Sequence, residues 1–166
     1  MIVFARIDDR LIHGQVVEGW VNFLKATCIV VADDNVATNV LQRSIMEISA
    51  PQGLKVIIGG VEEICRLLRP AAFDPERVIL LFSNPSDVLR ALKSGLTCRS
   101  LNIGGMHYTP GKRKLMDVLA VDDADLEALR AIAAQSVQVD IQTVPTQKPM
   151  PLGKLFKVCH VDEQAL

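Results

Sequence analysis

The sequence predicts an α/β protein in a single domain, with an open, mainly parallel, doubly wound sheet and helices on both faces. Hydrophobic residues make up 49% of the 166 residues and aromatic residues only 4%, so the core must consist of aliphatic side chains. Short apolar runs alternate with amphipathic stretches along the chain, which is the order of strands and helices in such sheets. A chain of this length forms one compact domain, and we expect that domain to cover residues 1–166.

Six apolar runs have the length and composition of strands. Several are continuous Val, Ile and Leu, as expected of strands that are covered on both faces. The runs are Ile2–Ile7, Cys28–Ala32, Lys55–Ile58, Arg77–Phe82, Ser100–Ile103 and Val137–Val144. Leu115–Val121 is a candidate for an additional strand, and the tail after Pro145 is expected to be irregular.

Five amphipathic stretches between these runs predict helices, because their apolar residues recur at helical spacing and share one face. The stretches run over 16–24, 41–48, 64–68, 88–92 and 126–132. Asn84 and Pro85 predict the start of the fourth helix and Gly95 its end. Asp122, followed by Asp125, predicts the cap of the last one.

The charge balance excludes some classes of partner. A net charge of −1 provides no field that would attract nucleic acid or an anionic membrane.

The four cysteines, Cys28, Cys65, Cys98 and Cys159, show no C-x-x-C spacing, so we expect buried or half-buried reduced thiols. No signal peptide or long apolar stretch is present. We therefore expect a cytoplasmic protein that reaches a membrane only through a partner.

Polar segments follow the predicted strands at the edge where ligands bind in an open parallel sheet, beyond the carboxyl ends of the strands. They are residues 8–14, 33–35, 83–84 and 104–106. The first of them contains a candidate nucleophile, His13, three positions after Arg10. This loop is therefore the strongest candidate for a functional site.

The loop around His13 has the chemistry of a phosphohistidine site. A free imidazole titrates near pH 6.5, so it is largely neutral and nucleophilic in the cytosol. Arg10 presents a planar fork of donors that suits phosphate oxygens. Backbone N–H groups at Gly14 and Gln15 favour an anion, and Gly14 has no side chain to block its approach. No metal or cofactor is expected.

The two acids of this loop require separate roles, because two ionised carboxylates beside a phosphoryl group would repel it. One of Asp8 and Asp9 is expected to pair with Arg10, or to accept a hydrogen bond from the second ring nitrogen of His13. We favour Asp9 for the orienting role. The other acid is then solvent-facing or a turn residue.

Structural roles are expected for most other polar residues. Asp33 and Asp34 either border a metal pocket or cap the following helix, and the sequence favours neither. Gly104 and Gly105 are more typical of a sharp turn than of a phosphate loop. Nucleotide-binding glycine motifs are absent, which indicates phosphoryl groups activated elsewhere. We expect a core role for Trp20, a helix cap at Ser83 and Asn84, and no catalytic role for His107 or His160.

Several motifs, in order over nearly the whole chain, resemble one family. These are "ARIDDRLIHGQV" followed by Trp20, then "IVVADD", "LLFSNPSDVLRAL", "LNIGGM" and "VP". They resemble the IIB subunit of the mannose/fructose/sorbose family of the bacterial phosphoenolpyruvate-dependent sugar phosphotransferase system. The resemblance implies a cytoplasmic protein-N(π)-phosphohistidine–sugar phosphotransferase. His13 would accept the phosphoryl group from the IIA subunit, Arg10 would bind it, and a sugar held by the membrane subunits IIC and IID would receive it.

The resemblance also implies a separate IIA polypeptide as donor and is compatible with a homo-oligomer. Gln147 stands where many relatives have an aspartate, so docking or capping at that position is expected to differ. Two alternatives remain open: a regulatory protein in which phosphorylation of His13 controls partner binding, and a receiver-like domain phosphorylated on aspartate. The sugar is selected mainly by the membrane subunits.

Overall fold

The computed structural model describes residues 1–68 and 76–158. The strands are β1 (Ile2–Asp8), β2 (Cys28–Ala32), β3 (Lys55–Gly59), β4 (Val78–Phe82), β5 (Ser100–Gly105), β6 (Arg113–Met116), β7 (Leu119–Val121), β8 (Gln138–Ile141) and β9 (Met150–Pro151). The helices are α1 (Gln15–Val21, π-helical, continued by the turn Asn22–Leu24), α2 (Asp34–Thr38), α3 (Val40–Ser49), α4 (Val61–Leu67), α5 (Pro85–Lys93), α6 (Asp123–Ala133) and α7 (Leu152–Val158).

Seven strands form one sheet in the order β3-β2-β4-β1-β5-β8-β9. All neighbours are parallel except β8 and β9, while β6 and β7 form a separate antiparallel hairpin. The predicted fold class is therefore confirmed. β1 lies in the middle, where Ile7 pairs with Phe82 of β4 and Ile103 of β5. The loop that follows β1 consequently lies at the centre of the carboxyl edge.

Helices cover the sheet on both faces. Residues of α1, α2 and α3 pack in one apolar layer, and residues of α4 to α7 pack in the other. Neighbouring residues of one strand belong to different layers, as Leu80 and Leu81 do. Both are fully buried, which explains why β4 is apolar throughout. No helix of the described residues is long and apolar enough to cross a bilayer.

All six predicted strands are present, but the second half of the chain differs from the prediction at three places. Val137–Val144 is too long, because β8 ends at Ile141 and the carbonyl groups of Gln142 and Thr143 accept hydrogen bonds from a buried arginine instead. Leu115–Val121 is not one strand, since a turn divides β6 from β7. The expectation of an irregular tail is wrong, because β9 pairs with β8 and α7 contributes to the core.

The helix α3 shows its apolar stripe to solvent. Leu41, Ile45 and Ile48 share one face, as their spacing predicts, but they are 72%, 56% and 83% exposed. Met46 on another side of the helix packs into the core. Periodicity therefore identifies a common face without telling which way that face points.

The predicted caps and thiols are confirmed where the structure describes them. Asn84 and Asp122 each accept a hydrogen bond from the backbone N–H three residues later, at the starts of α5 and α6. Cys28 and Cys65 are buried free thiols, Cys98 is half-buried and free, and Cys159 lies outside the described residues.

Candidate functional site

Asp8, the last residue of β1, is the centre of a charged cluster at the carboxyl edge. Its side chain is completely buried, yet two guanidinium groups contact it. Nη2 of Arg6 lies 2.9 Å from Oδ2, and Nε of Arg10 lies 3.1 Å from Oδ1. Because side chains alternate along a strand, Arg6 and Asp8 point to the same side of β1. We call Arg6, Asp8, Arg10 and His13 the His13 cluster.

Arg6 anchors this cluster to other parts of the chain. It donates to the side chain of Asn102 and to the backbone carbonyl groups of Gln142 and Thr143, and its guanidinium carbon lies 5.5 Å from the ring centroid of Trp20. A β-carbon at Gly104 would lie only 1.8 Å from the guanidinium of Arg6, so glycine is required there. Trp20 is a buried core residue, as predicted. Sequence reasoning assigned no role to this arginine.

The electrostatics of the cluster favour a negatively charged Asp8. Burial alone raises the pKa of its carboxyl group. The hydrogen bond from Arg10 and the positive charges of Arg6 and Arg10 outweigh that effect, and the pKa lies below its ordinary value. Burial lowers the pKa of Arg6, while its contact with Asp8 raises it. With both arginines charged, two positive charges face one carboxylate, and this excess suits an anionic ligand.

The loop folds back so that His13 lies beside Asp8. Leu11 is buried with a positive φ of 55°, and its N–H donates to the backbone carbonyl of Asp8. The Nδ1 atom of His13 lies 2.9 Å from the carbonyl oxygen of Leu11. The Nε2 atom lies 3.7 Å from Oδ2 of Asp8 and is buried without a hydrogen bond to the described residues. The whole side chain is 17% exposed.

Arg10 and Gln15 extend the cluster toward solvent. Nη2 of Arg10 donates to Oε1 of Gln15 at 3.1 Å, and the arginine side chain is 37% exposed. Gly14 has a helical backbone, and a β-carbon there would meet no atom within 4 Å. No crowding in the protein therefore requires glycine at this position. The role of Gly14 and Gln15 in holding phosphate remains a prediction.

The prediction that Asp9 orients His13 is wrong. Asp8 is the carboxylate beside the ring, with Oδ2 3.7 Å from Nε2 of His13, and the carboxylate of Asp9 binds His107 instead. The backbone N–H of His107 donates to Oδ2 of Asp9 at 2.6 Å, and its ring Nδ1 lies 2.6 Å from Oδ1. Strand alternation buries the side chain of Asp8, whereas that of Asp9 is 33% exposed. This contact also brings His107 to the rim of the site, although the sequence suggested no such place for it.

A second polar cluster lies at the same edge, beyond β2 and β4. We call Asp33, Asp34, Asp87 and Arg90 the Asp34 cluster. Asp33 accepts from the backbone N–H of Val36 and caps α2, while Asp34 accepts from the N–H at the start of α4. Arg90 contacts both Asp34 and Asp87. The capping alternative is therefore confirmed, and no metal-binding group of three His, Cys, Asp or Glu occurs in residues 1–68 and 76–158.

Three further residues have defined positions. Gly104 and Gly105 end β5 and do not form the turn that the sequence favoured. Oε1 of Gln147 accepts from the backbone N–H and the hydroxyl of Thr143, so Gln147 holds the turn after β8 together. Sequence reasoning missed Asn102, which is buried among apolar neighbours in β5. Its signal was an amide inside an apolar run. His160 lies outside the described residues.

The model of one protein family, "PTS system sorbose subfamily IIB component", matches residues 2–165. The chain belongs to this family. It is 36% identical to the sorbose-specific EIIB component of Klebsiella pneumoniae, over 86% of this chain and 87% of that protein. The crystal structure of the IIBSor domain of the sorbose permease from Klebsiella pneumoniae superposes with a TM-score of 0.90 at 33% identity, covering 95% of this chain and 97% of that one.

The chain is also similar to part of a longer relative. It is 34% identical to the mannose-specific EIIAB component of Escherichia coli K12, over 94% of this chain but 48% of that protein. It therefore spans about half the length of that relative. The resemblance inferred from the motifs "ARIDDRLIHGQV" and "LNIGGM" is confirmed at the level of the family.

Proposed function

We propose that the chain is a cytoplasmic IIB phosphocarrier. It accepts a phosphoryl group on His13 from a phosphohistidine of IIA and passes it to a sugar that the membrane subunits IIC and IID take up. The observation that carries the proposal is the His13 cluster itself. An imidazole, an exposed guanidinium and a buried carboxylate meet at the middle of the carboxyl edge, with an excess of positive charge.

Arg10 is the phosphoryl-binding group in this proposal. Two of its nitrogens contact Asp8, which fixes the direction of the guanidinium, while more than a third of the side chain stays open to solvent. A guanidinium that is already oriented loses little conformational freedom when it binds an anion. Asp8 therefore acts on the phosphoryl group through Arg10 and His13, as a positioning residue, and does not touch it.

The Nδ1 atom, Nπ, is the acceptor that we propose within the ring. The Nε2 atom is buried against Asp8 and cannot meet an incoming donor, whereas a single backbone carbonyl faces Nδ1. At 3.7 Å, Nε2 is too far from Asp8 for a hydrogen bond. A carbonyl oxygen only accepts, so Nδ1 carries the proton in its contact with Leu11. When that proton is exchanged through solvent for one on Nε2, a small rotation brings Nε2–H onto the carboxylate of Asp8, and Nδ1 leaves Leu11 with its electron pair free.

The phosphoryl group passes from one imidazole to another in this step. The N–P bond of the donor histidine breaks as the bond between phosphorus and Nδ1 of His13 forms, and the donor nitrogen keeps the electron pair. One N–P bond replaces another, so we expect a reversible step that depends on in-line positioning and charge stabilisation. Asp8 accepts the Nε2–H throughout and stabilises the positive charge that develops on the ring.

The alternative of an aspartyl phosphate has little support in this geometry. Asp8 is buried beneath two guanidinium groups, and both oxygens of Asp9 are engaged by His107. His13 borders the solvent-exposed Arg10, which a donor protein reaches directly. Because the carrier must release IIA before it meets the membrane subunits, we expect small, transient interfaces at this rim.

A reconstituted phosphotransfer assay tests the proposal. The wild type, His13→Ala and the matched control His160→Ala are incubated with labelled phosphoenolpyruvate, the general phosphotransfer proteins and a IIA protein. We expect acid-labile, base-stable label on the wild type and the control, and none on His13→Ala. Full labelling of His13→Ala would contradict the proposal. Release of the label by sugar, seen with IIC and IID membranes, distinguishes transport from a regulatory role.

A further inference from the structure

We propose that His107 is a second phosphoryl-binding residue, whose Nε2–H donates to the same phosphoryl group that Arg10 binds. This inference rests on the proposed function, because it requires a phosphoryl group at His13. It assigns a direct role to His107, which lies in a different loop, after β5. Asp9 has the indirect role of holding His107 in place.

Asp9 fixes both the position and the tautomer of His107. The N–H of Asp9 donates to the carbonyl of Gly105, and the carboxylate of Asp9 returns to accept from the backbone and the ring of His107. A carboxylate is an acceptor only, so Nδ1 must carry a proton in this contact. Nε2 makes no hydrogen bond to the described residues, and the side chain is 44% exposed. It is therefore available to a ligand at the rim.

Gly105 places His107 next to Arg10. The point where a β-carbon of Gly105 would lie is 3.0 Å from Cε1 of His107, 3.3 Å from Oδ1 of Asp8 and 3.5 Å from Nη2 of Arg10. The imidazole and the guanidinium thus both lie within 3.5 Å of one point, beside the carboxylate of Asp8. An anion bound by Arg10 on the solvent side of this point meets both donors.

The surrounding charges make His107 responsive to the phosphoryl group. The charged groups around it are the carboxylates of Asp9 and Asp8 and the guanidinium of Arg10. A phosphoryl group on His13 adds negative charge beside Arg10, next to the ring of His107. We therefore expect the phosphoryl group to sense the charge on the His107 ring.

The first test is a pH titration of the phosphorylated protein by ³¹P NMR. In the wild type, the phosphohistidine resonance is expected to shift with pH in step with the ring signals of His107. That component disappears in His107→Gln and changes its midpoint in Asp9→Asn, while the neighbouring exposed control Tyr108→Phe retains it. A titration curve that is the same in the wild type and in His107→Gln overturns the inference.

The second test is the rate of transfer from phosphorylated IIA. His107→Gln is expected to slow labelling about tenfold, the effect of losing one charge-assisted hydrogen bond, and His107→Lys is expected to recover most of the rate. Equal slowing by both variants would overturn the role of positive charge. If the wild type carries no phosphohistidine at all, the proposed function fails. If His13 is labelled normally in every His107 variant, the inference about His107 alone fails.

Discussion

The His13 cluster and the Asp34 cluster lie at the same edge of the same sheet, and both combine aspartate with arginine. The first follows β1, and the second follows β2 and β4. They differ in what the carboxylates contact. Asp8 contacts guanidinium groups and lies beside an imidazole, whereas Asp33 and Asp34 accept from the backbone N–H groups that begin two helices.

The balance of charge separates the two clusters further. Two arginines face one carboxylate in the His13 cluster, whereas the Asp34 cluster has three carboxylates and one arginine, Arg90, which contacts Asp34 and Asp87. Burial raises the pKa of Asp87, helped by the charges of Asp33 and Asp34, although Asn84 and Arg90 act against it. The pKa of Asp8 lies below its ordinary value. The two clusters therefore differ in their excess of charge, which is positive around Asp8 and negative around Arg90.

The largest expected contrast is in stability. Asp8→Asn leaves Arg6 buried without its counter-charge, and breaking a buried pair in this way costs about 3–5 kcal/mol of the free energy of unfolding. Asp34→Asn removes a solvent-exposed contact with Arg90 and should change stability little. Urea denaturation at pH 7 compares the two variants. Equal losses would show that burial does not distinguish the clusters.

The next contrast is in phosphoryl transfer. Arg10→Ala removes the exposed guanidinium that we assign to the phosphoryl group and should slow labelling about 100-fold. Arg90→Ala is the matched control, because Arg90 contacts two carboxylates of its own cluster, Asp34 and Asp87. This variant should be labelled at the wild-type rate. The initial rate of label uptake from phosphorylated IIA measures both. A comparable slowing by Arg90→Ala would extend the site to the Asp34 cluster.

The pH dependence of stability tests the charge of Asp8 in the folded protein. Since the folded-state pKa of Asp8 is depressed, its contribution is fully present above the ordinary carboxyl pKa and is lost as the pH falls through the folded-state value. The difference in unfolding free energy between the wild type and Asp8→Asn should therefore shrink on acidification below about pH 4. Denaturation curves between pH 7 and 3 measure it. A difference that grows toward low pH would contradict the assignment.

The smallest expected effect comes from a helix cap. Asn84→Ala removes the acceptor for the N–H of Asp87 at the start of α5, which should cost about 1 kcal/mol of stability. Labelling of His13 should not change, because Asn84 follows β4 and contacts Asp87 of the Asp34 cluster. Thermal unfolding combined with the labelling assay measures both quantities. Slower labelling in this variant would mean that the two clusters are coupled.

The sequence predicts those parts of the fold and site whose structure depends on residues that are near one another in the chain. Cys28–Ala32 is correct to the residue because the strand is buried on both faces. His13 and Arg10 are close because they share one short loop. The exposure of the apolar stripe of α3 was not predictable, since the helical period shows which residues share a face but not whether that face points to the core or to solvent. Nor was β9, because a two-residue strand forms only when a neighbouring strand is already in place.

The errors within the site have the same origin. The choice between Asp8 and Asp9 depends on which side of β1 each side chain faces, and that follows from where the strand ends. The contact between Asp9 and His107 joins residues 98 positions apart, so it requires β1 and β5 to be neighbours. Arg6 was recognisable only as a charge in an apolar run. Three of its hydrogen-bond partners, Asn102, Gln142 and Thr143, come from the other half of the chain.

The most direct test of the central claim is the site of the phosphoryl group itself. The chain has three histidines, and long-range ¹H–¹⁵N NMR of the protein labelled with ¹⁵N in histidine resolves both ring nitrogens of each. After phosphorylation by IIA, we predict a phosphorus coupling at Nδ1 of His13, with His107 and His160 remaining unmodified. A phosphorus coupling at His107 or His160, or an unmodified His13 in a labelled protein, would contradict the account.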